Sequence, residues 1–143
     1  MNLLTIIFSV FAIFTNLPAT DANILATESE SFAKCATPPF DAEYKNSKAV
    51  FAGKVLSVRT DGDEKIFKFR VEKYWKGSVG KTVEVRYYET MRYQAWLEVG
   101  KRYLVYAKGG NSGNLSDGRC SWTKNYSDAS TDLHKLGKGK LPR

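Results

Sequence analysis

Apolar and polar residues alternate along much of this chain, and the alternation predicts strands. Lys65 to Trp75 places Phe67, Phe69, Val71 and Trp75 on one face and Lys68, Arg70 and Glu72 on the other. Thr82 to Tyr88 repeats the pattern with Val83, Val85 and Tyr87 inward. Arg102 to Lys108 (RYLVYAK) follows a turn at Val99-Gly100-Lys101. Ahead of these, Ala49 to Arg59 (AVFAGKVLSVR) is a long β-rich run, and Gly53 inside it predicts a bulge or a sharp coil. Asp61-Gly62-Asp63 predicts the turn between the first two strands. The loop GGNSGN leads into a short fifth strand, Leu115 to Trp122, which contains Cys120.

Two short helices flank the strands. Pro38-Pro39 opens the first, because proline is tolerated in a first turn, and Phe40 and Tyr44 fall on one face through to about Ser47. The second spans Ser130 to Leu136, with serine at its start and Gly137 at its end. The tail KGKLPR is basic and reads as frayed. The resulting fold class is mainly β: five strands rolled into an OB-type barrel with short flanking helices, with a sandwich nearly as compatible with the pattern.

The N-terminus changes the picture of compartment. Leu3 to Leu17 is an apolar run of signal-peptide length, too short for a comfortable membrane span, although no Lys or Arg precedes it. Pro18 breaks it, and cleavage is expected after Ala22. Residues 1–22 therefore read as a signal peptide, 23–34 as a flexible leader, 35–137 as the domain and 138–143 as the basic tail. The domain is exported, secreted or held in an envelope, with no stable span after cleavage. The formal net charge of +7 for the whole chain rises to +8, because the signal peptide takes only Asp21 with it. In an oxidising compartment, two cysteines read as a disulfide, and one histidine cannot complete a structural zinc site. A Cys35–Cys120 bridge closes a loop of 85 residues, worth roughly 4–5 kcal/mol by loop entropy.

Catalytic and cofactor chemistry finds little support. His134 sits in the terminal helix beside Lys135 and reads as a surface residue. Asp61 and Asp63 flank a turn glycine, where aspartate bonds to its own backbone, and too few oxygens accompany them for calcium. GGNSGN lacks the lysine and the helix of a phosphate-cradling loop. The stretch RYYETMRYQAW mixes Arg86, Arg92, Tyr88, Tyr93 and Trp96 in the manner of a single-stranded nucleic-acid platform. Export argues against that ligand and favours anionic glycans or envelope polymers for the same positive charge. Asn114-Leu115-Ser116 and Asn125-Tyr126-Ser127 fit the glycosylation pattern, which has meaning only in a eukaryotic secretory pathway. No catalytic residue, metal, cofactor or nucleic acid is expected.

Five motifs fall in a telling order: CATPP (35–39), AVFAGKVLSV (49–58), VEKYWKG (71–77), EVGKRYLVYAK (98–108) and GRCSWTK (118–124). Together they resemble the tissue inhibitor of metalloproteinases family, and in particular its short single-domain members, over about residues 35 to 137. The resemblance implies an OB-like barrel of the kind shared with netrin modules. It also implies that Cys35 pairs with Cys120, tying the N-terminal segment to the late strand.

The chain departs from that family at one position that matters. The inhibitors begin with Cys-x-Cys, and the first cysteine's amine and carbonyl chelate the protease zinc. Here that position is Ala33, and the region of its bonding partner, Thr90 to Ala95, also lacks cysteine. Zinc chelation by this N-terminus is therefore not expected. The remaining expectation is a non-enzymatic binding domain that engages a metalloprotease through the ridge Lys34, Cys35, Ala36, Thr37 and Pro38. The alternative is an interaction module that holds an anionic polymer or a protein on its basic surface.

Overall fold

The computed structural model describes residues 35–89, 95–109, 114–118 and 120–143. Helix α1 (Phe40–Asn46) comes first, followed by strands β1 (Ala49–Asp61), β2 (Glu64–Lys76), β3 (Thr82–Tyr88) and β4 (Arg102–Gly109). Two short strands, β5 (Leu115–Asp117) and β6 (Lys124–Asn125), precede a 3-10 turn and helix α2 (Ser130–Leu136). Among the described residues no helix is long and apolar enough to cross a membrane.

Strands β1, β2, β3, β5 and β4 are hydrogen-bonded in that order, and β1 also pairs with β4. Five strands thus form a ring. All the pairings are antiparallel except β3 with β5, where Val85, Arg86 and Tyr87 run alongside Leu115, Ser116 and Asp117. Inside the ring lie Phe51, Val55, Phe67, Phe69, Val85, Tyr87, Tyr103 and Val105, all nearly inaccessible to water. Edge-to-face ring pairs, Phe51 with Phe69 and Phe67 with Tyr87, organise that interior.

A second apolar cluster lies on the other face of β1 and β4. Val50, Leu104 and Tyr106 are covered there by Ala129 and by Phe40, Tyr44, Leu133 and Leu136 from the two helices. Strand β4 is therefore buried on both faces from Tyr103 to Ala107. That is why RYLVYAK is apolar at consecutive positions rather than at alternate ones. Burying the Leu104 and Val105 side chains contributes about 1.5–3 kcal/mol each.

The strands predicted from alternation are present, with two displacements of consequence. Trp75 does not share the interior face with Phe67, Phe69 and Val71 but belongs to the outer cluster, while Tyr74 packs inward. The register explains the swap: Gly53 opposes Val71 while Ala52 opposes Lys73, so Glu72 is an extra residue in β2. One inserted residue reverses the faces of everything after it. Gly53 accommodates this kink because a Cβ there would lie 2.8 Å from the Arg70 carbonyl oxygen.

The predicted fifth strand is also corrected. It stops at Asp117 rather than Trp122, and Cys120 lies outside it. Pairing with β4 resumes only at Lys124 and Asn125, opposite Leu104 and Tyr103. Residues 118–123 are thus an excursion from one interrupted strand. Side-chain bonds hold the break: Asp117 Oδ1 accepts the Gly118 N–H at 2.7 Å, and the Tyr106 N–H finds Thr123 Oγ1 at 3.1 Å instead of a strand carbonyl.

The ends differ from expectation in smaller ways. Helix α2 spans the predicted residues, but its N-cap is Ala129 and Ser130 caps nothing. Gly137 does terminate it at positive φ, with its N–H on the Leu133 carbonyl. The tail is docked rather than frayed. Lys140 exchanges two backbone hydrogen bonds with Tyr74, and Trp75 Nε1 donates to the Gly137 carbonyl at 2.9 Å.

Candidate binding surface

The N-terminal ridge is held at both of its ends. Cys35 is bonded to Cys120 with 5.2 Å between Cα atoms, which fastens the ridge to the excursion. At the other end Pro39 caps α1, its carbonyl accepting the Glu43 N–H at 3.0 Å. Phe40 then stacks near Tyr44 and sets its ring against Trp122, with 5.9 Å between centroids. Between these anchors Ala36, Thr37 and Pro39 are exposed, with Cys35 and Pro38 half-buried. The fixed φ of the two prolines removes freedom that a plain loop would keep.

The excursion that carries Cys120 is itself tightly bonded. Asp117 is buried, and its Oδ2 accepts hydrogens from Tyr87, at 2.7 Å, and from Thr123. Ser121 Oγ donates to Thr123 Oγ1 and accepts the Thr123 N–H, both at 2.9 Å. Burial pushes the Asp117 carboxyl above its ordinary value, against hydrogen bonds from Ser121, Thr123, Tyr87 and the Gly118 N–H that pull it down. On the outer face the Tyr106 hydroxyl donates to buried Asp132 at 3.0 Å. Burial first, and the Asp132 charge second, push that phenol far above its ordinary value. Lys124 completes the cluster, 2.8 Å from Asp132 and over the Trp122 ring.

Two small clefts flank Cys120. One, of about 240 Å³, joins Thr37 of the ridge to Ser121, Trp122, Thr123 and Lys124. The other, of about 270 Å³, runs past Lys108, Asp117, Gly118 and Cys120. Of the predicted ridge, Thr37 lines the first cleft, Cys35 is tied to Cys120 beside it, and Ala36 and Pro38 flank Thr37 in the chain. Lys34, Ala33 and residues 90–94 of the Thr90–Ala95 stretch lie outside the described residues. Pattern reading missed the share taken by Trp122 and Lys124. The signal was the motif GRCSWTK itself, whose polar positions exclude a plain buried strand.

The other singled-out residues are dispersed. Arg86 is committed to Glu64 at 2.6 Å, Tyr87 is interior, and Trp96 sets its ring edge-to-face with Tyr103. Tyr88 is exposed, and Arg92 and Tyr93 lie outside the described residues. His134 is exposed on α2. Asn114 is exposed before β5, whereas Asn125 is half-buried in β6. Among the described residues no group of three or more His, Cys, Asp or Glu could hold a metal ion. No protein-family model matches the chain, and no curated protein matches it.

Proposed function

We propose that this is an exported binding domain similar to the tissue inhibitors of metalloproteinases, an OB-type barrel that docks the ridge Lys34–Pro38 on a metalloprotease. The strand order supports the OB-type reading: a ring of five with a single parallel pair, β3 with β5, suits a five-stranded Greek-key barrel. The observation that carries the functional reading is the exposed ridge pinned at Cys35 and at Phe40. A segment already ordered loses little conformational freedom when it docks, so more of its contact energy appears as affinity.

The mode differs from chelation. Ala33 stands where the chelating cysteine would be, and Cys35 is two residues further along the chain. Docking therefore relies on shape and on polar contacts around Thr37. Five residues are fewer than the roughly 20–30 per side of a stable interface, so the Trp122–Lys124 cleft contributes as well.

The test is a titration of the mature protein against a panel of zinc proteases, read as inhibition and as binding. Saturable association with at least one is expected, and Thr37→Arg weakens it by about tenfold or more. Asp63→Asn, in the distant hairpin turn, leaves it unchanged. No association at micromolar protein with any member of the panel overturns the proposal.

A further inference from the structure

A basic cleft lies at the far end of α1 from the ridge, seven helical residues or about 10 Å away. It has a volume of about 650 Å³ and opens between the helix end, the start of β1 and the end of β2. Lys45, Lys48 and Lys76 line it with Asn46, Gly77 and Ser78, and no carboxylate lines it. Several basic side chains elsewhere sit against carboxylates: Arg59 on Glu84, Lys65 on Glu89, Arg102 on Glu72 and Lys124 on Asp132. Among the described residues none of the three cleft lysines has such a partner.

Lys76 is fixed in place rather than swinging in solvent. Its ammonium donates to the Tyr44 and Lys45 carbonyls, at 2.7 and 2.8 Å, and lies 5.2 Å from the centre of the Tyr44 ring. It thereby satisfies the open end of α1 and keeps one of its three hydrogens for the cleft. The floor is equally fixed. Gly77 turns at φ +86° against the Lys48 carbonyl, where a Cβ would come within 2.7 Å, and the Lys48 N–H is bonded to the Ala107 carbonyl at 2.8 Å. Only the exposed tips of Lys45 and Lys48 need to be ordered by a ligand.

We propose that this cleft binds the sulfate or phosphate groups of an anionic polymer, as a second site independent of the ridge and of whatever the ridge engages. Ammonium groups act as compact point charges, which suit tetrahedral oxyanions and do not demand the planar fork geometry of a carboxylate. The Asn46 amide and the Ser78 hydroxyl add neutral donors beside them. The volume exceeds that of one small anion, so consecutive groups on a chain are the fitting occupant.

The experiment is calorimetric titration of the full mature chain with dextran sulfate in one arm and long-chain polyphosphate in the other. Saturable binding is expected in at least one arm, and the arm that binds names the group. Lys45→Gln with Lys48→Gln weakens it by about tenfold and lowers the slope of log K against log salt by about two. The control pair Lys81→Gln with Lys138→Gln removes the same charge elsewhere and changes affinity by less than about twofold. All four side chains are exposed, and an unchanged thermal midpoint verifies the fold of each variant. Saturation in neither arm, an unaffected cleft pair, or an equal loss in the control pair overturns the proposal.

Discussion

The Tyr87 hydroxyl on β3 donates to Asp117 Oδ2 on β5 across 2.7 Å, joining the two strands that run parallel in the ring. Because Thr123 shares the same oxygen, one carboxylate holds β3, β5 and the excursion together. The disulfide and the ridge inherit their position from that junction.

The same carboxylate makes stability depend on pH in an unusual direction. Burial raises the folded-state value of Asp117 above 3.8, so the folded protein keeps this proton to higher pH than the unfolded chain does. Its contribution is largest below 3.8 and declines as pH rises through the raised folded value. Urea denaturation of wild type and Asp117→Asn between about pH 3.5 and 7 tests this. The stability of the wild type relative to the variant is expected to fall with rising pH, and a constant difference would refute the assignment.

The Cys35–Cys120 bridge closes a loop of 85 residues. Replacing both cysteines by serine is expected to lower unfolding free energy by about 2–5 kcal/mol. It also frees the ridge, so limited proteolysis of the double variant under native conditions should cut at residues 36–39, where the wild type resists.

Two glycines at positive φ separate conformational strain from collision. Gly62, at φ +61°, has open space around it, so Gly62→Ala should cost only about 1–2 kcal/mol. Gly77, at φ +86°, has the Lys48 carbonyl oxygen 2.7 Å from the position of a new Cβ. Gly77→Ala adds that clash to a comparable strain and is expected to cost about 3 kcal/mol or more. Equal thermal shifts for the two variants would contradict the close approach.

Glu43 is fully buried on α1, with Lys108 Nζ 3.4 Å from Oε2 and no hydrogen bond to Oε1 among the described residues. A buried carboxylate with one long-range partner costs more in desolvation than the contact returns. Glu43→Met should therefore raise stability by about 1–2 kcal/mol. A loss in chemical denaturation would point instead to a stronger Lys108 pair.

Deleting residues 138–143 removes the two backbone bonds between Lys140 and Tyr74 and uncovers the Trp75 ring beside Gly139. The expected cost is about 1–3 kcal/mol, read as a lower denaturation midpoint with little change in slope. A tail that only frays would leave the midpoint where it is.

Strands β3 and β4 were legible because the signals that define them are local: alternation in one, continuous apolarity in the other. Trp75 was misplaced because the bulge at Glu72 exists only in the register between β2 and β1, twenty residues of chain away from any local clue. The end of β5 was hidden for a related reason: the side chains of Asp117, Ser121 and Thr123 take the Gly118, Thr123 and Tyr106 N–H groups in place of strand carbonyls. The docked tail depends on Tyr74 having a free edge, which no property of KGKLPR reveals. At the ridge the cysteine pairing could be read from compartment and count, whereas the contribution of Trp122 waited on the packing of Phe40. The basic cleft joins Lys45 and Lys48 to Lys76 at the adjacent ends of β1 and β2, a neighbourhood that only the β1–β2 pairing creates.

Strand β1 is shared between two neighbours, β2 from Val50 to Asp61 and β4 over Ala49 to Lys54. Its first six residues are therefore the seam of the ring, with Phe51 facing the interior and Val50 facing the helices. Parting that seam would wet both apolar clusters at once. The molecule has no inexpensive way to open halfway, so its amide protons along β1 and β4 should exchange together, in a single event, at the rate set by global unfolding.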